Sequence, residues 1–158
     1  MVLITRVDER LLHGQTAASW IPAIGADCIL IANDSVVQDN LKKTAMKLAK
    51  PSGTKLVMKS IEDSIQALNS GVTDKYKLLV VVESVRDAHS LAKQCEVVKS
   101  VNLGGSKIKE DSKKLDVAFY VTNEECTLLR EMLDDSVELE IRQVPEDKKK
   151  MVTKEMLS

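Results

Sequence analysis

The run Leu78-Leu79-Val80-Val81-Val82 is the most strand-like segment of the chain. Its apolar residues are uninterrupted and its last three are β-branched, so no polar face is left for water and the strand needs cover on both sides. Ser84 follows as a helix N-cap, with Val85, Ala88, Leu91 (or Ala92) and Cys95 recurring at the spacing of one inward helical face. Upstream, the short strand Leu56 to Met58 leads to Ser60, another good N-cap. The helix it opens packs through Ile61, Ile65 and Leu68 and stops at Gly71.

The same alternation extends in both directions. Val2 to Thr5 reads as a buried strand, followed by a polar loop from Arg6 to Arg10 and a helix starting near His13 or Gly14. Ala17, Trp20, Ile21 and Ile24 form that helix's inward face, with Pro22 predicted to kink or end it early and Gly25 to stop it. Cys28 to Ala32 is a second strand, closing on Asn33-Asp34-Ser35. Ser35 with Gln38 predicts a capping box for a helix whose stripe is Val37, Leu41, Ala45 and Leu48, ended by Pro51-Ser52-Gly53.

Toward the C-terminus, Ser100 to Leu103 is a short strand ending on Gly104-Gly105, and a polar stretch runs from Ser106 to Lys114. Val117 to Val121 is a sixth strand, and Thr122 with Glu125 predicts a capping box on a helix through Leu129, Met132 and Leu133. Val137, Leu139 and Ile141 alternate with Glu138, Glu140 and Arg142, which predicts a half-exposed strand near an edge, closed by Pro145. The tail Glu146 to Ser158 reads as a short helix or a frayed end, with Lys148-Lys149-Lys150 a solvated face. Strands alternating strictly with helices imply a three-layer, doubly wound α/β fold: a mainly parallel sheet of about seven strands with helices on both faces. Residues 1–158 are expected to form a single domain, with no linker or repeat.

Composition narrows the function. Lys+Arg 23 against Asp+Glu 24 gives a net charge of -1, which offers no electrostatic case for nucleic acid or an anionic membrane as the main partner. Cys28, Cys95 and Cys126 are widely separated and lack a CxxC spacing, so they read as small core residues in a reducing compartment. Arg6, Asp8, Glu9 and Arg10 interrupt any signal-peptide pattern, and no apolar run approaches the roughly 20 residues of a membrane span. A cytoplasmic location follows.

The chemistry concentrates in the loop Thr5-Arg6-Val7-Asp8-Glu9-Arg10-Leu11-Leu12-His13-Gly14-Gln15, at the sheet edge where α/β proteins place their sites. A neutral imidazole can attack phosphorus and hold a labile phosphoryl group, which makes His13 the candidate nucleophile. Arg6 and Arg10 match phosphate oxygens, and the N–H groups of Gly14, Gln15 and Thr16 at a helix start favour an anion. Asp8 is suited to orient His13 or hold an arginine, and Asp34, with Asn33, is a secondary candidate for the same work. Asn33-Asp34-Ser35 reads first as a turn and N-cap, Gly104-Gly105 first as a turn and second as a wall of the phosphate pocket, and His89 as a solvated helix residue. No P-loop or GxGxxG occurs, and no metal or cofactor is expected. The residues alone define an anion site, which serves either a phosphoryl relay or a non-covalent sugar-phosphate-binding module.

The segment Arg6 to Gln15 resembles the signature around the phosphorylated histidine of mannose/sorbose-type IIB components of the bacterial phosphoenolpyruvate-dependent sugar phosphotransferase system. The likeness extends over the whole chain through Gly25-Ala26-Asp27, Asn33-Asp34 and Val144-Pro145. Departures are small: Leu12 where isoleucine is common, Thr16 where valine is common, and Pro22 in the first helix. The resemblance implies that His13 accepts a phosphoryl group from a IIA phosphocarrier protein. His13 would then donate it to a hexose or amino sugar entering through the membrane IIC and IID components. It also implies a mainly parallel, doubly wound α/β fold and a cytoplasmic protein peripherally associated with the transporter. It leaves open the sugar, the phosphorylated ring nitrogen and whether the chain forms a homo-oligomer.

Overall fold

A computed structural model describes residues 1–158. Seven strands form one sheet in the order β3-β2-β4-β1-β5-β8-β9: β1 (Val2–Asp8), β2 (Cys28–Ala32), β3 (Lys55–Lys59), β4 (Leu78–Val82), β5 (Ser100–Gly105), β8 (Glu138–Ile141) and β9 (Lys150–Met151). All neighbours are parallel except β8 and β9, so the sheet is mainly parallel as expected. A separate antiparallel hairpin pairs β6 (Ser112–Asp116) with β7 (Phe119–Thr122).

Side chains alternate across the apolar strands, and each face recruits its own helices. Ile4, Ile29, Ile31, Leu79 and Val81 meet Ala17 and Ile21 of α1 (Gly14–Ile24) and Met46 of α2 (Asn40–Ala49). Leu30, Val80, Val82 and Val101 face the other way, toward α3 (Ile61–Ser70), α4 (Val85–Gln94) and α5 (Asn123–Asp134). Each fully buried leucine, isoleucine or valine contributes about 1.5–3 kcal/mol relative to exposure, so both layers are tied to one sheet. Cys28, Cys95 and Cys126 are free and buried, in keeping with their core reading. No helix is long and apolar enough to cross a membrane.

Several local expectations are corrected. Pro22 does not end α1, which runs to Ile24; the proline is exposed, and its missing N–H costs only the bond to the Ala18 carbonyl. Gly25, at φ 70, closes the helix by donating to the Ile21 and Pro22 carbonyls. Ser35 forms no capping box: it precedes a short 3-10 turn (Val36–Gln38) without a side-chain cap, Asn33 Oδ1 accepts from Val36 N at 2.9 Å, and Asp39 caps α2 instead. The late start rotates α2, so Met46 points inward while Leu41 and Leu48 are 82% and 83% exposed. The strand expected at Val117 to Val121 begins at Phe119 and pairs only with the polar strand β6, outside the main sheet. Asp116 Oδ1 accepts from Val117 N in the reversal between them.

The strand within Val137 to Arg142 lies next to the sheet edge, as expected, but is largely buried rather than half-exposed. Two-residue β9 covers it, and Glu140 is buried against Arg142 Nε at 3.0 Å. The tail forms β9 and a 3-10 turn (Lys154–Leu157) held by buried Val152 and Leu157. His89 is half-buried, its Nε2 2.9 Å from Glu131 Oε2, rather than solvated.

Candidate functional site

The site lies where β1 and β5 end side by side. After β1 the chain enters α1 on one face; after β5 it turns toward the hairpin and α5 on the other. The divergence opens a crevice at the carboxyl ends of the strands. A cavity of about 350 Å³ occupies it, lined by Asp8, Arg10, His13, Thr16, Gly105 and Gln143 among others.

Arg6 is the foundation. Register pairs it with Asn102 of β5, and its guanidinium, 2% exposed, donates from Nη1 to Asn102 Oδ1 at 2.8 Å and to the Arg142 carbonyl at 3.2 Å. Nη2 donates to Asp8 Oδ2 at 3.1 Å, and Cζ stacks 5.1 Å from the Trp20 ring centroid. Burial pulls the Arg6 pKa down, while Asp8 and then Glu140 oppose that pull. An arginine so paired stays charged. Gly104 makes the placement feasible, because any side chain there would occupy the guanidinium's position. Arg6 therefore lines the floor of the cavity with its guanidinium held by protein groups.

Asp8, buried at 4% exposure, organises the loop above. Its Oδ1 accepts from Arg10 N at 3.0 Å, and its carbonyl accepts from Leu11 N at 2.8 Å. The turn ends on Leu11 at φ 57, a left-handed conformation unfavourable for leucine, offset by burial of its side chain. Asp8 Oδ2 also lies 3.2 Å from His13 Nε2. One carboxylate thus joins the buried guanidinium, the loop backbone and the imidazole.

His13 is the N-cap residue of α1, extended at φ -139 and ψ 155, and makes no side-chain cap. The N–H groups of Gly14, Gln15 and Thr16 therefore lie at an uncapped helix start beside the ring, as an anion requires. A Cβ on Gly14 would meet no protein atom within 4 Å, so space there is open. Thr16 Oγ1 is 3.0 Å from His13 Nε2 and 3.4 Å from Nδ1, a hydroxyl set against the ring between its nitrogens. Arg10 is exposed at the cavity rim, and its guanidinium has no ion-pair partner. A carboxylate only accepts, so the approach of Asp8 favours the tautomer with the proton on Nε2 and the lone pair on Nδ1.

Arg6, Asp8, Arg10, His13 and Thr16 come together; Asn33 and Asp34 do not. Asn33 caps the 3-10 turn, and Asp34 Oδ1 accepts from Ile61 N at 2.9 Å, both away from this cavity. Sequence reasoning missed Asn102, Gln143 and the hairpin turn Val117-Ala118, which walls the cavity beside Ser106. Only Asn102 left a trace, as the lone amide in an apolar strand.

Asp8→Asn is the sharpest probe of this network. The amide can keep the Arg10 N–H bond but loses the negative charge that fixes the imidazole tautomer. Phosphoryl transfer is expected to fall by about a hundredfold, with the proton distribution between Nε2 and Nδ1 altered in imidazole nitrogen NMR. An unchanged imidazole spectrum would count against Asp8 as the orienting group.

A doubly wound sheet that presents an imidazole at an uncapped helix start, over a buried arginine–aspartate pair, defines an α/β domain with an anion-suited crevice at its strand ends. Residues 2–157 match the model of the PTS system sorbose subfamily IIB component, and the chain belongs to that family. It is a IIB component of a sugar phosphotransferase system, a phosphotransferase acting in sugar uptake. The fructose-specific EIIB component of Bacillus subtilis is 28% identical over 92% of this chain and 90% of its own length. The N-acetylgalactosamine-specific IIB component 1 of Escherichia coli superposes with a TM-score of 0.90 at 26% identity, over 97% of this chain and 100% of that one. The IIB domain of the Klebsiella pneumoniae sorbose permease gives 0.88 at 25%, over 94% and 91%.

Proposed function

We propose that residues 1–158 act as one phosphocarrier domain whose relay atom is Nδ1 of His13. The observation that carries this reading is the approach of Asp8 Oδ2 to Nε2 at 3.2 Å, which leaves the opposite nitrogen as nucleophile. The Nδ1 lone pair attacks phosphorus of a phosphohistidine on the IIA protein. The donor P–N bond breaks, its electron pair returns to the donor ring, and a new P–N bond forms on His13. The ring of His13 then carries positive charge, which Asp8 offsets through Nε2–H.

The N–H groups of Gly14, Gln15 and Thr16 accommodate the phosphoryl oxygens, and Arg10 closes over them from the rim. In the second step a sugar hydroxyl oxygen attacks phosphorus, the P–N bond breaks, and the hydroxyl proton passes to the freed Nδ1. The acceptor is a hexose or amino sugar delivered by membrane IIC and IID components, which places the protein in the cytoplasm, peripheral to the transporter. The distances from Asp8 and Thr16 to the imidazole are those of the resting ring; Arg6 supports the reading by holding Asp8.

Arg10→Ala tests the rim. The side chain is exposed and unpaired, so stability is expected to change by no more than about 0.5 kcal/mol while transfer slows by about ten- to a hundredfold. Thermal melting beside single-turnover kinetics separates the two, and equal losses in both would assign Arg10 to structure instead.

A further inference from the structure

We propose that the α2 face of the molecule is a docking surface for an anionic lipid bilayer. Between residues 40 and 54 the chain carries Lys42, Lys43, Lys47 and Lys50 and no aspartate or glutamate, within a chain whose net charge is -1. Charge is therefore segregated: this segment is basic and the remainder of the chain net acidic. None of the four lysines forms an ion pair.

The same side carries the apolar stripe that helical spacing would turn inward. Leu41 and Leu48 lie two turns apart on the solvent face of α2, 82% and 83% exposed, with exposed Ala45 between them. Exposed Lys47 flanks them, and half-buried Lys43 and Lys50 border the face where α2 meets the body. The leucines project from a convex helix, not into a groove. That shape suits insertion of two side chains below the headgroups with lysines at headgroup level, and charge complementarity selects an anionic surface.

Whole-chain charge does not oppose this. At physiological ionic strength the Debye length is about 8 Å, so acidic groups across the molecule are screened from a surface touching α2. Each lysine near such a surface strengthens binding by a factor of about five. The His13 crevice opens at the strand ends, whereas Leu41 and Leu48 project from the solvent face of α2.

The test is co-sedimentation of the full chain with vesicles of phosphatidylcholine alone or with about one-third phosphatidylglycerol. Parent protein is expected to partition at least tenfold better into the anionic vesicles and to be released by high salt. Lys42→Gln/Lys43→Gln/Lys47→Gln and Leu41→Ser/Leu48→Ser are each expected to lose at least tenfold. Lys99→Gln/Lys113→Gln/Lys114→Gln, with the same change in net charge elsewhere, is expected to bind as the parent does, with circular dichroism checking each fold. His13→Ala should bind as the parent does too, so this result is independent of the relay. Equal partition into both vesicle types, no partition into either, or recruitment only by vesicles containing the transporter's membrane proteins would overturn the proposal; the last would assign the surface to a protein partner.

Discussion

His13→Ala is expected to take up no radiolabelled phosphoryl from a phosphorylated IIA donor, a loss of at least about a thousandfold in rate. In the parent, the label should be acid-labile and base-stable, as a P–N bond requires. The fold should survive, because the His13 side chain is 22% exposed and contributes contacts to Asp8 and Thr16 rather than core area. Stability is expected to fall by no more than about 1 kcal/mol. His13→Gln sharpens the result, since it removes the nucleophile while keeping a polar side chain at an intact helix start. Such a variant should still bind inorganic phosphate weakly yet remain unlabelled. Labelling of either variant at the parental rate would place the phosphoryl group on another residue.

Gly104→Ala is expected to have the largest effect on stability. A Cβ at this position falls under 3.0 Å from Cζ, Nη1 and Nη2 of Arg6. That guanidinium cannot step aside without leaving Asp8, Asn102 and the Arg142 carbonyl, all inside the protein. Breaking such a buried arrangement costs about 3–5 kcal/mol, which should lower the melting temperature by about 10 °C or more. Transfer should fail with it, because Asp8 loses the group that holds it. A variant that melts like the parent would show that Arg6 has a second resting place. Gly105→Ala is the matched control: its Cβ would sit 3.7 Å from Asp8 Oδ1, an ordinary contact.

The two predictions mark where sequence reading worked and where it stopped. Leu78 to Val82 and Cys28 to Ala32 were legible to the residue, because a strand covered on both faces has no choice of register with water. The capping box of Thr122 and Glu125 was legible for the same kind of local reason. His13, Arg10 and Asp8 stood out as chemistry-bearing residues in one loop. The packing of Arg6 did not: only strand pairing with Asn102 and the gap at Gly104 show how its guanidinium is held at the cavity floor. Asn33 and Asp34 shared the correct sheet edge but were drawn into local turns. The phase of α2 was lost because Asn33 and Asp39, not Ser35, set its start. Strand β6 was hidden because its outward lysines break the apolar pattern.

Trp20 is the only tryptophan in the chain. It is held between Arg6, at 5.1 Å, and Arg142, at 5.0 Å, with its indole N–H bound to the Gln143 carbonyl at 3.1 Å. Both guanidiniums support the crevice, and Asp8 links Arg6 to His13. Tryptophan emission therefore comes from one indole packed against Arg6 and Arg142, and a shift in its wavelength is the expected optical sign of a change in charge at the crevice.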